Sequence, residues 1–415
     1  MNNLIQKWYV RLPGATQDRV MGLLLKSGLL FRMPAFKRHL DAVAFFGADP
    51  DELRAALRRG NGVVPSPDDV LRRLGEELGF LADIVDEPQN QDLARDLHFR
   101  AGLYYLLADW FTRDHRLSVK HYLAAMPHFG KYRTLCSPRI EKVLFSHSVG
   151  TLTAHLRIPR HLGPCPAVVI VQGTNTVKEF MPAFEDLALN RGIATLTVDQ
   201  PGWGESGLTG NRLRSSRDLG EFTSTVVRFL EEQPEIRTDA IGVFGVDFGG
   251  LLASLSVGLE PRFTAVASLG APYHCKQIWR GLPAVQRRMT LRHSGVDSVE
   301  ELDNWFDGLA INETLARVHC PALIVQGNKD DLVDVENAFA LAAAMRGQAD
   351  IKVVDDGRHM CTHVLFAWLA DYVFDWFSER LSCQPLRVST RARPAAGGLE
   401  SVFRERSPAA LAAIE

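Results

Sequence analysis

Cysteines in this 415-residue chain are neither paired nor clustered. The six, Cys136, Cys165, Cys275, Cys320, Cys361 and Cys383, are scattered without a C-x-x-C pair. In a chain of this length that scatter argues against a disulfide framework and against a zinc site. No apolar run approaches the roughly 18 residues that cross a bilayer. Neither sign of charge is in excess: 47 Lys and Arg stand against 49 Asp and Glu, a formal net charge of −2. No global field therefore draws nucleic acid or an anionic membrane. The opening Met1-Asn-Asn-Leu-Ile-Gln-Lys7 lacks an uninterrupted apolar stretch and a small-residue cleavage site, and reads as mature cytoplasmic sequence. What is present is ordinary globular composition, 46% hydrophobic and 23% charged. At this length it allows one large domain with additions, or two domains.

Two textures divide the chain. Residues 1–135 have helical spacing and few β-rich runs. Val43–Phe46, Val70-Leu71 with Leu74, and Leu78–Ile84 read as helix faces. The strongest stripe is Leu93, Leu97, Ala101, Tyr104, Tyr105 and Ala108 within 93–111. From Ser137-Pro138 onward strands and helices alternate. Strands are predicted at 139–146, 151–158, 167–172, 193–198, 239–246, 265–269, 322–325 and 351–354. Helices are predicted at 179–190, 219–232, 251–258, 337–345 and 364–381. That alternation implies a mostly parallel sheet covered on both faces. A helical, aromatic insert at 272–316 interrupts it. The expected organisation is a helical domain over 1–135, an α/β core over 136–382 and a weakly ordered tail over 383–415, rich in Arg, Pro, Ala and Gly.

Asp247 carries the most information. It lies in Phe244-Gly-Val-Asp-Phe-Gly-Gly250, after a buried strand and before a small-residue helix. Strand, glycine turn and helix form the G-x-nucleophile-x-G elbow, where a serine hydrolase has serine. Asp is among the few non-glycine residues that accept the strained backbone there. Two further stations follow. Asp330 comes after the 322–326 strand and His359 after the 351–354 strand, both at strand ends, where open α/β sheets gather ligands. Nucleophile, acid, histidine is the chain order of the α/β-hydrolase triad. Asp331 competes with Asp330, but the Gly327-x-x-Asp330 spacing favours the latter. His363 competes with His359, and the strand-loop position favours His359.

These motifs, with Val198-Asp-Gln-Pro-Gly-Trp-Gly-Glu-Ser206, resemble the α/β-hydrolase superfamily up to about residue 380. The helical N-terminal region, the phrase Gln172-Gly-Thr-Asn-Thr-Val-Lys-Glu179 and the short insert resemble one branch of it. That branch holds the fermentation-respiration-switch esterases, the dihydroxypseudooxynicotine C–C hydrolase and the fungal polyketide-shortening hydrolases. The resemblance implies an α/β-hydrolase core with a short helical lid over 272–316, no cofactor and no metal, and a small-molecule substrate. Serine stands at the elbow in that branch. Aspartate there resembles haloalkane dehalogenases and epoxide hydrolases instead.

The chemistry follows from the side chain. A carboxylate attacking an acyl group gives a mixed anhydride, which is uphill; attacking a saturated carbon, it gives an ordinary ester that water can hydrolyse. The expected roles are therefore Asp247 as nucleophile, His359 as base for the water and Asp330 as its orienting partner. The backbone N–H groups of Phe248 and Thr174 would hold the oxyanion. An epoxide is preferred to a halide, on a secondary metabolite. Epoxide hydrolases show H-G-x-P where this chain has Gln172-Gly-Thr-Asn175, and dehalogenases place Trp where it has Phe248. The alternatives are an acid–base pair, Asp247 with His359, driving a lyase, cyclase or C–C cleavage step, and a binding protein without turnover. Trp203, Tyr273 and Trp279 are candidates for a pocket wall, with core or lid packing as the competing reading. Arg280, Arg287, Arg288 and Arg292 read as a solvated helix face. Tyr104 and Tyr105 read as packing, and the helical region offers a surface for a homodimer.

Overall fold

A computed structural model describes residues 44, 46–58, 66–112, 114–148, 150–160, 163–174, 176–208, 212–282, 284–345, 349–361, 366–381 and 403–404. Contacts divide the chain into two compact units, Met1–Glu141 with Leu282–Met289, and Lys142–Gly281 with Thr290–Glu415.

The first unit contains, among its described residues, the helices α1 (Pro50–Arg58), α2 (Pro67–Val85), α3 (Gln91–Phe111) and α4 (His115–Leu135), with the first part of a later helix, Ala284–Ser294. Helix α2 starts on Pro67 with Asp68 and Asp69 in its first turn, where negative charge meets the positive end of the helix dipole. Asp114 caps α4 by accepting from the amides of Arg116 and Leu117. Helix α3 differs from its expected stripe. Leu93 is 49% exposed, whereas every residue from Ala101 to Ala108 is buried. Its second half is therefore enclosed on all sides, and one-sided periodicity describes only its beginning. The Tyr104 hydroxyl donates to Glu52 Oε2 at 2.8 Å, and Arg100 donates to Glu52 Oε1 at 2.6 Å, tying α3 to α1. Of the 43–46 helix face, only Ala44 and Phe46 fall within the described residues.

The second unit is built on a nine-stranded sheet. Its strands are β1 (Glu141–His147), β2 (Gly150–Arg157), β3 (Cys165–Val171), β4 (Ala194–Asp199), β5 (Ile236–Val246), β6 (Ala265–Leu269), β7 (Ala322–Gly327), β8 (Ala349–Val354) and β9 (Phe403–Arg404). Their spatial order is β1-β2-β4-β3-β5-β6-β7-β8-β9. Pairing is parallel from β4 through β8 and antiparallel for β2–β4 and β8–β9. Strands β3, β4 and β6 are buried at every residue, as expected where helices cover both faces. The covering and inserted helices are α5 (Pro182–Leu189), α6 (Gly204–Leu208), α7 (Ser216–Glu231), α8 (Phe248–Leu259), α9 (Cys275–Gly281), α10 (Ala284–Ser294), α11 (Val299–Gly308), α12 (Ile311–Leu315), α13 (Glu336–Ala344) and α14 (Phe366–Arg380). One face is held by an aromatic cluster: Phe184 of α5 and Phe374 of α14 lie 5.1 and 5.5 Å from Phe244 of β5. The insert is helical, as expected, and supplies α9, α11 and α12 to this unit. Within 383–415, Phe403 and Arg404 are the described residues; they add an edge strand to β8, and the rest of that segment lies outside the described residues.

Candidate active site

Four loops at the carboxyl ends of β3, β5, β7 and β8 supply the site. Asp247 follows β5 with φ 51° and ψ −130°, a strained conformation for a residue with a Cβ. The strain is tolerated because the chain around it is over-determined. The Asp247 amide donates to the Leu269 carbonyl at 2.8 Å, and the Asp247 carbonyl accepts from the Gly250 amide at 2.8 Å. The flanking glycines let strand and helix close on each other: a Cβ at Gly249 would lie 2.3 Å from the Gln172 carbonyl oxygen. This is the elbow geometry expected from the motif.

The two oxygens of the Asp247 carboxylate face different partners. Oδ2 accepts from the Thr174 amide at 3.0 Å, so the expected oxyanion donor is in contact with the carboxylate. Oδ1 faces His359 Nε2 at 3.6 Å. Gly173 makes room for this arrangement, since a Cβ there would lie 2.9 Å from Oδ2. Phe248, the other expected donor, opens α8; its amide is one of the first-turn N–H groups that a helix leaves unbonded.

His359 lies in a short 3-10 turn after β8 and stands between two carboxylates. Its Nδ1 is 3.0 Å from Asp330 Oδ2. Asp330 is itself fixed: Oδ1 accepts from the amides of Leu332 and Val333, both at 2.9 Å, and Oδ2 accepts from Gln326 Nε2 at 2.9 Å. With its side chain fully buried, it can turn in no other direction. Of the adjacent aspartates, Asp330 is the one bonded to the imidazole. Burial alone would pull the His359 pKa down. The charge and hydrogen bond of Asp330, with the charge of Asp247 behind them, carry it up to about 9. His363 lies outside the described residues.

The remaining candidates separate. Trp203 is buried and stacked on Phe248, with centroids 6.3 Å apart and 12° between planes. Trp305 and Phe306 approach the same ring at 5.6 and 6.4 Å; Phe306 was invisible to motif reading and is found only through its packing. Trp279 is buried on α9, one turn after Cys275. Burial pushes the Cys275 thiol up to about 12, and the charge of neighbouring Asp247 adds to it. The insert thus comes close to the elbow through α9. The Tyr273 hydroxyl hydrogen-bonds Asn312 at an exposed position. Among the described residues no group of three or more His, Cys, Asp or Glu is arranged to hold a metal ion, and no helix is long and apolar enough to cross a membrane.

Comparison with known proteins gives a consistent family. The Esterase FrsA-like family model matches residues 82–284. The chain is 31% identical over 253 residues to the 2,6-dihydropseudooxynicotine hydrolase of Paenarthrobacter nicotinovorans, covering 60% of this chain and 67% of that protein. It is 28% identical to Esterase FrsA of Photorhabdus laumondii over 222 residues, a match spanning about half of each, 52% and 51%. The crystal structure of a 2,6-dihydroxy-pseudo-oxynicotine hydrolase superposes with a TM-score of 0.73 at 25% identity, covering 85% of this chain and 99% of that one. AbyA5 shares the fold, with a TM-score of 0.64 at 19% identity over 81% of this chain and 90% of its own. With the elbow, the sheet order and these matches together, the chain belongs to the FrsA-like branch of the α/β-hydrolase superfamily, with Asp247 at its elbow.

Proposed function

We propose that this hydrolase opens an electrophilic saturated carbon, an epoxide before a halide, through an ester on Asp247. The observation that carries the reading is the division of labour within one carboxylate: Oδ2 rests on the Thr174 amide at 3.0 Å and Oδ1 faces His359 at 3.6 Å. In that arrangement Oδ1 attacks the carbon while Oδ2 already occupies the oxyanion position needed for the later step. With a pKa near 9, His359 carries a proton at neutral pH, and it gives this proton to the alkoxide released from the epoxide ring. Esterification then removes the negative charge of Asp247. The imidazole loses one of its two carboxylate partners, becomes a better-defined neutral base and takes a proton from water attacking the Asp247 carbonyl carbon. Epoxide plus water gives diol, and both residues return to their starting protonation states. Asp330 stays hydrogen-bonded to the imidazole and orients it throughout. A proton donor next to the nucleophile is why the epoxide is preferred: halide departure requires none. No cofactor enters these steps.

Single turnover of styrene oxide in heavy-oxygen water tests this. Label in the Asp247-containing peptide is expected, together with a mass increment of one substrate on that peptide in His359→Gln. An active enzyme whose Asp247 peptide stays unlabelled would sink the ester route. The second reading, an acid–base pair for a lyase, cyclase or C–C cleavage step, draws on the same 3.6 Å approach of a protonated imidazole to a carboxylate. It predicts turnover of a β-dicarbonyl or polyketide-like substrate without label or adduct.

A further inference from the structure

Behind the Thr174 loop lies a buried ionic cluster that the reaction above does not use. Asp199, the last residue of β4, is fully buried. Its Oδ1 accepts from Gln172 Nε2 at 3.1 Å and from the Lys178 amide at 3.0 Å. Its Oδ2 accepts from Lys178 Nζ at 2.7 Å and from the Glu205 amide at 3.0 Å. Gln172 and Lys178 are the two feet of the loop that carries Thr174. One carboxylate therefore grips both ends of the segment whose middle amide touches Asp247. The Lys178 ammonium, also fully buried, pairs with three carboxylates: Asp199 at 2.7 Å, Glu205 at 2.8 Å and Glu179 at 2.8 Å. Glu205 is shared with Lys142 at 2.6 Å, and His155 Nε2 of β2 lies 3.9 Å from Glu179.

A buried charge cluster of this kind is a poor source of net stability, because desolvation offsets most of the attraction. It is a good way to fix a direction. We infer that Asp199 and Lys178 are positioning residues for the Thr174 amide, and that Glu179, by gaining or losing a proton, tightens or loosens their grip. The inference rests on reading Thr174 as the oxyanion donor. With Glu179 protonated, Lys178 and Lys142 balance Asp199 and Glu205. With Glu179 ionised, a third buried carboxylate competes with Asp199 for the same ammonium, and the clamp weakens. Burial, joined by the charges of Asp199 and Glu205 and opposed by Lys178, raises the Glu179 pKa to about 7, so the change falls in the neutral range.

The test reads the resting full-length protein. Amide exchange at Thr174, followed by NMR and corrected for intrinsic pH dependence, is expected to speed up about tenfold in Gln172→Ala, the loss of one hydrogen bond, and more in Asp199→Asn. In the wild type the same amide is expected to exchange faster at pH 8 than at pH 6, and Glu179→Gln should abolish that difference. With styrene oxide as probe, kcat should fall in Gln172→Ala while KM stays within about twofold, as for a lost transition-state contact. Unchanged Thr174 exchange in folded Gln172→Ala and Asp199→Asn would overturn the inference. Should Asp199→Asn fail to fold, Gln172→Ala and Glu179→Gln decide it. Because exchange requires no turnover, altered exchange in a protein inert to styrene oxide upholds the clamp and refutes the epoxide reading alone.

Discussion

In the proposed reaction most of the chemistry turns on His359, and its surroundings make a direct prediction. Two carboxylates face its two ring nitrogens, one at hydrogen-bonding distance and one at 3.6 Å. Asp330 is the larger cause of the raised pKa and Asp247 the smaller. In an NMR titration the imidazole should therefore titrate near 9 in the wild type, lower in Asp247→Asn and lowest in Asp330→Asn. The reverse order, or no change in either variant, would mean the imidazole is not held between them. The same shift bears on stability. A histidine whose folded pKa lies above its unfolded value near 6.5 favours the folded state fully below that value, and the contribution disappears as pH rises through about 9. That Asp247, Asp330 and His359 lie together was legible in sequence because each follows a strand within a few residues, so local spacing carries their placement. The bond from the Tyr273 hydroxyl to Asn312 was not legible, since Asn312 is far along the chain. Lys178 was still less so. A lysine reads as solvent-exposed, and only the convergence of Asp199, Glu179 and Glu205 explains a fully buried one.

Elements read from sequence fail mainly at their ends, for identifiable reasons. Strand β5 begins at Ile236, earlier than expected, because Ile236 pairs with Cys165 ahead of an irregularity in the register, while Arg237, Thr238 and Asp239 lie outside the core. The expected helix over 179–190 splits into a 3-10 turn, Lys178–Phe180, and a helix that starts at Pro182. Proline supplies no amide there and suits a first helical position. The elbow shows how an element is both held and aimed, and two glycines separate these functions. A methyl group at Gly249 would meet the backbone carbonyls of Gln172 and Val171 at 2.3 and 2.4 Å. Backbone cannot step aside, so Gly249→Ala is expected to destabilise the protein by about 1–3 kcal/mol, seen as a lower urea midpoint. At Gly173 the methyl would instead meet the Asp247 Cβ and Oδ2 at 2.9 Å and the Val246 carbonyl oxygen at 3.2 Å; the contacts are looser than at Gly249, and the Asp247 carboxylate is the group that can swing. Gly173→Ala should lower the urea midpoint less than Gly249→Ala yet lose on the order of 10²-fold in kcat, the cost of displacing the proposed nucleophile. Equal effects of the two changes on stability would refute this separation.

At the scale of the whole molecule, each unit holds buried histidines, and their distribution sets how the protein meets acid. In the helical unit His98, His121 and His128 all have pKa values lowered by burial, with the charge of His98 adding to the shift at His128. His98 and His128 face each other, Nδ1 to Nδ1, at 3.2 Å, so that contact holds one proton and repels a second. The sheet unit has His147 lowered for the same reason of burial. A histidine whose folded pKa is depressed costs nothing above its unfolded value near 6.5. Below that, the unfolded chain takes up protons that the folded one refuses, and stability falls as pH falls. Among the described residues, the histidines held low by burial number three in the helical unit and one in the sheet unit, which makes the helical unit the more acid-sensitive of the two. Thermal melting followed by circular dichroism should show the transition temperature falling between pH 7 and pH 5, with helix signal lost before the sheet unit's tryptophan fluorescence changes. His128→Gln removes the facing ring and should flatten the decline. A transition temperature that holds level across that range, or sheet-unit tryptophans that respond first, would show that these histidines gain protons without opening the helices around them.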